Sequence, residues 1–109
     1  MEWIPLENTE QLEKLNEASH IRPQLIYKHS TRCGISSMAK QRLYKNELPE
    51  DIDFFYLDLI KYRDISNKVA EMFGVRHESP QVLLIKNGGC IYHESHTAIY
   101  MDDIVAAAM

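Results

Sequence analysis

Cys33 stands where an apolar strand pattern gives way to a helical one, in the stretch Lys28-His29-Ser30-Thr31-Arg32-Cys33-Gly34-Ile35-Ser36. That placement suits a reactive thiol. The first N–H groups of a helix lack intrahelical partners and carry the positive end of its dipole, so they stabilise an anion such as a thiolate. Cysteines so placed fall from a pKa of about 8.5 to between roughly 3.5 and 7.5. Lys28 and Arg32 add positive potential, and the polar flank Ser30-Thr31-Arg32 turns the segment toward solvent. The expected chemistry is thiol–disulfide exchange, in which a thiolate attacks a disulfide sulfur. A small buried core residue is the alternative reading of a free cysteine.

The position three residues on is Ser36, not a second cysteine. A C-x-x-C pair would expel its product by closing an internal disulfide; here a mixed disulfide on Cys33 must be resolved by an external thiol. Ser36 either donates a hydrogen bond to the sulfur, favouring the thiolate, or is a solvated first-turn serine. Cys90, followed by His93 and His96, admits a resolving thiol or a C-x-x-H-x-x-H metal site. Alternation along a strand opposes the metal site, since odd separations send Cys90 and His93, and then His93 and His96, to opposite faces. The hairpin turn before Cys90 is also expected at the end of the sheet far from the thiol helix. Cys90 is therefore read as structural or incidental, and no metal site is expected.

The elements that must position Cys33 follow from periodicity and punctuation. Asn8 or Thr9 caps a helix with Leu12, Leu15 and Ala18 on one face, ending before Arg22-Pro23. Gln24 to His29 forms a strand. Ile35, Met38, Ala39, Arg42 and Leu43 recur at helical spacing until Pro49 closes the element, with Met38 on the core face. Asp53 to Leu59 is apolar enough for a parallel strand buried on both faces. A helix from Tyr62 to Phe73 turns Ile65, Val69, Met72 and Phe73 inward, and Gly74 takes its C′ position. Gln81–Lys86 and Cys90–Glu94 flank Asn87-Gly88 as a hairpin, and a last helix runs from Tyr100 to Ala108, with Asp102 and Asp103 near its start. A short strand at Trp3 to Leu6 can lead the chain. The product is an α/β fold, a mixed sheet of four to five strands with helices on both faces.

Composition sets the frame. The 109 residues, 45% of them hydrophobic, are read as one domain over 1–109 with a real core. A net charge of −4, dispersed over 12 basic and 16 acidic residues, argues against nucleic acid or a membrane surface as partner. The longest apolar stretch, residues 52–60, is broken by Asp53 and Asp58 and falls short of the roughly 20 residues of a membrane span. With no basic leader before Trp3 and two cysteines too few for a disulfide framework, a cytoplasmic setting is expected. The acidic cluster Glu47, Glu50, Asp51 and Asp53 has no metal-ligand spacing and reads as a solvated loop.

This element order, with a cysteine after the first core strand and Ser79-Pro80 before the hairpin, resembles the thioredoxin fold across nearly the whole chain. The segments Lys28-His29-Ser30-Thr31-x-Cys33-x-Ile35-Ser36, Asp58-Leu59-Ile60-x-Tyr62-Arg63, Ser79-Pro80-Gln81 and Ser95-His96 narrow the resemblance. They are similar to the bacillithiol system redox-active proteins of low-GC Gram-positive bacteria, the YtxJ family or monothiol bacilliredoxins. Gly34 departs from that family's proline and gives Cys-Gly-Ile-Ser, closer to the Cys-Gly-Phe-Ser of monothiol glutaredoxins.

The resemblance implies that Cys33 is the sole redox thiol and removes bacillithiol from S-bacillithiolated cytosolic proteins. Bacillithiol would be co-substrate, no cofactor would be bound, and a separate flavoprotein would reduce bacillithiol disulfide. It also implies a cis Ser79–Pro80 bond, where trans is the ordinary expectation, packed against Cys33 and exposing the backbone of residue 79 to pair with substrate. In the site so read, Gly34, Ser36 and Arg32 support the thiolate, while Thr31, Ile35, Ser79, Pro80 and His96 line the substrate groove. Arg32 is either solvated or a clamp for the malyl carboxylates of bacillithiol, and His96 either lines the groove or is a plain loop histidine. Two other functions stay open: an iron–sulfur carrier of the monothiol-glutaredoxin kind, holding a cluster across a dimer, and a non-catalytic binding module that uses the groove alone. Ile35 and the sequence Gly88-Gly89-Cys90-Ile91 speak against the first.

Overall fold

The computed structural model describes residues 3–30 and 34–109. In chain order these form β1 (Ile4–Pro5), α1 (Thr9–Ala18), β2 (Gln24–His29), α2 (Gly34–Tyr44), β3 (Asp53–Asp58), α3 (Arg63–Phe73), β4 (Gln81–Lys86), β5 (Gly89–Ser95), a 3₁₀ turn (His96–Ala98) and α4 (Met101–Ala108). The strands make one sheet of order β1-β3-β2-β4-β5. β1, β3 and β2 run parallel, while β4 and β5 each run antiparallel to the neighbour before them. This is the mixed α/β architecture that the sequence predicts.

Local chemistry accounts for the boundaries. Asn8 caps α1 with its side chain, which accepts from the Gln11 N–H at 2.8 Å. Gly74 ends α3 in the left-handed region at φ 63°, where a side chain would be strained. Asn87 and Gly88 turn the β4–β5 hairpin with φ 54° and 80°, the positive pair a tight hairpin requires. α2 ends at Tyr44 and not at Pro49: the Asn46 side chain donates to the Arg42 carbonyl at 2.9 Å and stops the helix early.

The core lies in two layers, one on each face of the sheet. Leu12 and Leu15 of α1 and Ile65 and Val69 of α3 pack on Ile26, Leu57, Leu83 and Ile85. On the other face, Ala39 and Leu43 of α2 and Met101 and Ile104 of α4 cover Leu25, Tyr27, Phe54, Val82 and Leu84. Successive residues of β2 therefore serve opposite layers, which is why all six of its side chains are buried. Met38 contradicts the core-face expectation. It is 65% exposed, because α2 turns Ala39 and Leu43 to the sheet and leaves position 38 on its outer flank. Met72 is part-buried against the first layer, as expected.

β5 departs from plain alternation. Leu84 faces Tyr92 and Ile85 faces Cys90, so Ile91 is an extra, unpaired residue. The bulge puts Cys90 and His93 on the same face, opposite Ile85 and Leu83, correcting the argument that placed them apart. Among the described residues no three His, Cys, Asp or Glu side chains gather into a metal-binding group. None of the described helices is long and apolar enough to cross a membrane.

Candidate active site

The carboxyl end of β2 leads in sequence into the segment that carries the expected thiol. Thr31, Arg32 and Cys33 lie outside the described residues, as does the side chain of Ile35. What can be placed is the frame around them. β2 ends at His29 and α2 opens at Gly34, the residue after Cys33 in sequence. The Lys28–Gln81 register brings the start of β4, and with it Ser79 and Pro80, beside that junction.

Gly34 is exposed at the head of α2, and a Cβ added there would meet nothing within 4 Å. Ser36 is fully buried, which overturns its reading as a solvated first-turn serine. Its Oγ accepts from the Ser30 N–H at 3.4 Å, and its carbonyl accepts from the Tyr27 hydroxyl at 2.9 Å. The first turn of α2 is thus tied through Ser36 to Tyr27 of β2 and to Ser30 just beyond that strand.

Ser79–Pro80 is cis, with Pro80 buried. The Ser79 Oγ is buried and has no hydrogen-bond partner among the described residues. Pro80 carries His96 with it: the His96 N–H donates to the Pro80 carbonyl at 2.9 Å, and His96 Nε2 meets Glu78 Oε2 at 3.0 Å. His96 is exposed and sits at φ 59°, unusual for a residue other than glycine. Ser79, Pro80 and His96 therefore do come together, and Glu78 joins them. Only its contact with His96, eighteen residues on in sequence, gives Glu78 a role, and no local signal marks it.

Lys28 is not the source of positive potential it was expected to be. Alternation sends it to the α3 side of the sheet, the face away from α2, where it is 0% exposed. Its Nζ donates to the Ser66 carbonyl at 3.3 Å and lies 3.3 Å from His77 Nδ1. Burial without a carboxylate partner lowers its pKa to about 8. His29, on the α2 side and 3% exposed, is the residue that sequence reasoning passed over. Its Nδ1 lies 3.2 Å from the Tyr27 hydroxyl. Burial, then the charge of Lys40, lowers its pKa, against smaller upward pulls from Asp58 and the Ser36 backbone. The signal was present in the strand period, which puts position 29 on the same side as Tyr27.

Cys90 lies near the hairpin end of β5, opposite Ile85, while the junction at His29 and Gly34 is at the other end of the sheet. It is half-buried against the α1/α3 layer, and its thiol donates to the Tyr92 carbonyl at 3.3 Å. Burial raises its pKa, the opposite of what an attacking thiol needs.

The family model described as monothiol bacilliredoxin BrxC matches residues 4–104. A solved protein assigned as an oxidoreductase with a thioredoxin fold is 30% identical, with a TM-score of 0.84 over 97% of this chain and 93% of its own. Thioredoxin from Malassezia sympodialis superposes with a TM-score of 0.76 at 17% identity, covering 97% of this chain and 88% of that one. Thioredoxin from Fasciola hepatica gives 0.74 at 19% identity, covering 95% and 98%. The last two are similar in fold alone, and that fold is the thioredoxin fold.

Proposed function

The chain belongs to the monothiol bacilliredoxin family, and from that premise we propose that it is a monothiol disulfide oxidoreductase that strips bacillithiol from modified cytosolic proteins through Cys33. The Cys33 thiolate attacks the bacillithiol sulfur of a protein–bacillithiol disulfide. That S–S bond breaks, a new one forms between Cys33 and bacillithiol, and the released protein thiolate takes up a proton. A second bacillithiol thiolate then attacks the adduct, regenerating the Cys33 thiolate and leaving bacillithiol disulfide for a flavoprotein reductase. Each turnover thus consumes one free bacillithiol, and the disulfide that leaves carries it together with the unit removed from the protein, with no bound cofactor.

One observation supports the reading above all. α2 opens at Gly34, directly after Cys33 in sequence, and the first turn of a helix carries the positive end of its dipole, which favours an anion there. Ser36 steadies that turn, and Arg32 adds charge in sequence. Ser79 and Pro80, with His96 beside them, offer a substrate edge, which Thr31 and Ile35 would complete.

The test is adduct formation. Reduced wild type, Cys33→Ser and Cys90→Ser proteins are incubated with bacillithiol disulfide or glutathione disulfide and weighed by mass spectrometry. One bacillithiol adduct is expected on wild type and Cys90→Ser and none on Cys33→Ser, with glutathione the poorer donor. Modification of Cys90, or an intramolecular disulfide, overturns the monothiol scheme.

A further inference from the structure

The flank of α2 that faces β3, away from Pro80, carries a cavity of about 420 Å³ lined by His29, Ser37, Lys40, Gln41 and Tyr44. That volume lies in the range of small-molecule sites. No Asp or Glu lines it. Lys40 is held on its wall with the ammonium 5.4 Å from the Tyr44 ring centre and 5.2 Å from that of Tyr56. Among the described residues no carboxylate forms an ion pair with it.

His29 brings a second, inducible charge. The Tyr27 hydroxyl has one proton and gives it to the Ser36 carbonyl, so in the contact with Tyr27 the hydrogen belongs to His29 Nδ1. The neutral ring then keeps Nε2 as its bare nitrogen, and a proton taken up there makes the imidazole a cation. The groups facing His29 are Lys40 and Tyr44 on α2, Tyr27 on β2, and Tyr56 and Asp58 on β3. Asp58 is the opposing charge, and its Oδ1 is already occupied by the N–H groups of Ile60 and Lys61.

We propose that this cavity binds a small organic carboxylate, seated between the Lys40 ammonium and a protonated His29, with the Tyr44 ring against the body of the ligand. One permanent and one inducible cation match a carboxylate, and the charge-assisted hydrogen bonds to it are the strong kind. Such a group comes either from a free hydroxy acid or from the malyl end of bacillithiol; only the second source rests on the function proposed above. Binding draws a proton onto His29, so affinity rises as pH falls through the His29 titration.

The experiment uses Cys33→Ser protein, which carries no exchange chemistry at position 33, and follows backbone amide shifts during titration with malate. Saturable shifts are expected at Ser37, Lys40, Gln41 and Tyr44, with the His29 titration moving upward. Lys40→Gln should weaken malate roughly tenfold, the worth of one lost charge-assisted bond, while Lys14→Gln on exposed α1 changes nothing. A second titration with reduced bacillithiol assigns the source: the same amides move if its malyl group uses the cavity, and malate alone moves them if the ligand is a free acid. Absence of saturable shifts at these residues with either probe, or a Lys40→Gln protein that binds as wild type does, overturns the proposal. Because no thiol exchange is read, failure of the adduct experiment leaves this result standing.

Discussion

Lys28 and His29 are consecutive in β2 and end on opposite sides of the sheet, so one sequence step decides which charge reaches the thiol helix. For Lys28 the energetic consequence has a definite sign. Its folded pKa, about 8, lies below the ordinary 10.5, so between those values the unfolded chain binds more protons than the folded one. Stability therefore rises with pH across that window, and below pH 8 the cost of the buried charge is fully present. Between pH 7 and pH 9.5 this one group should add about 2 kcal/mol of stability. Urea unfolding of wild type and Lys28→Met at both pH values checks it: the difference between the two proteins should shrink by that amount on going to pH 9.5. The sequence displays a lysine five positions before a cysteine and suggests a helpful cation; only the strand's alternation, carried through to the layer it enters, shows the charge buried behind the sheet. Ser36 is the converse case, because a serine in a first turn is ordinarily solvated and only tertiary packing buries it.

Among the elements, two glycines at opposite helix ends make a controlled comparison. Neither Gly34 nor Gly74 has a neighbour within 4 Å of an added Cβ, so substitution tests backbone conformation alone. Gly74→Ala should destabilise by about 1–2 kcal/mol because position 74 is left-handed. Gly34→Ala should stabilise by about 0.5–1 kcal/mol, since alanine gives up less conformational freedom on entering a helix. Thermal unfolding of both variants reads the two signs. Element types and nearly all boundaries were legible in the sequence because caps, Gly74 and the Asn87-Gly88 turn each carry a local mechanism. Two features were not. The end of α2 at Tyr44 depends on the Asn46 side chain, not on the more conspicuous Pro49. The bulge at Ile91 arises from how β5 fits β4 and leaves no mark in its own composition, so strict alternation misjudged Cys90 and His93.

For the molecule as a whole, both core layers are fastened to the same strand. Leu25 and Tyr27 serve one layer and Ile26 the other, so neither layer can come apart with β2 intact. Leu15→Ala, in the α1/α3 layer, should cost about 2–5 kcal/mol. Trp3, the single tryptophan, packs in the opposite layer, stacked on Tyr44 at 5.0 Å and edge-on to Phe54 at 5.2 Å. In Leu15→Ala the Trp3 fluorescence midpoint and the far-UV circular dichroism midpoint should fall together; separate transitions would mean that the layers melt independently.

The same sheet has two open sides, and each is blunted by a different device. β1 offers two residues, one of them Pro5, which has no N–H to donate. β5 is longer, but the extra residue at Ile91 bends it and breaks the regular row of donors and acceptors another chain would need. The sheet thus presents another chain no straight template on which to stack, and deleting Ile91, which would straighten β5, should promote edge-to-edge assembly.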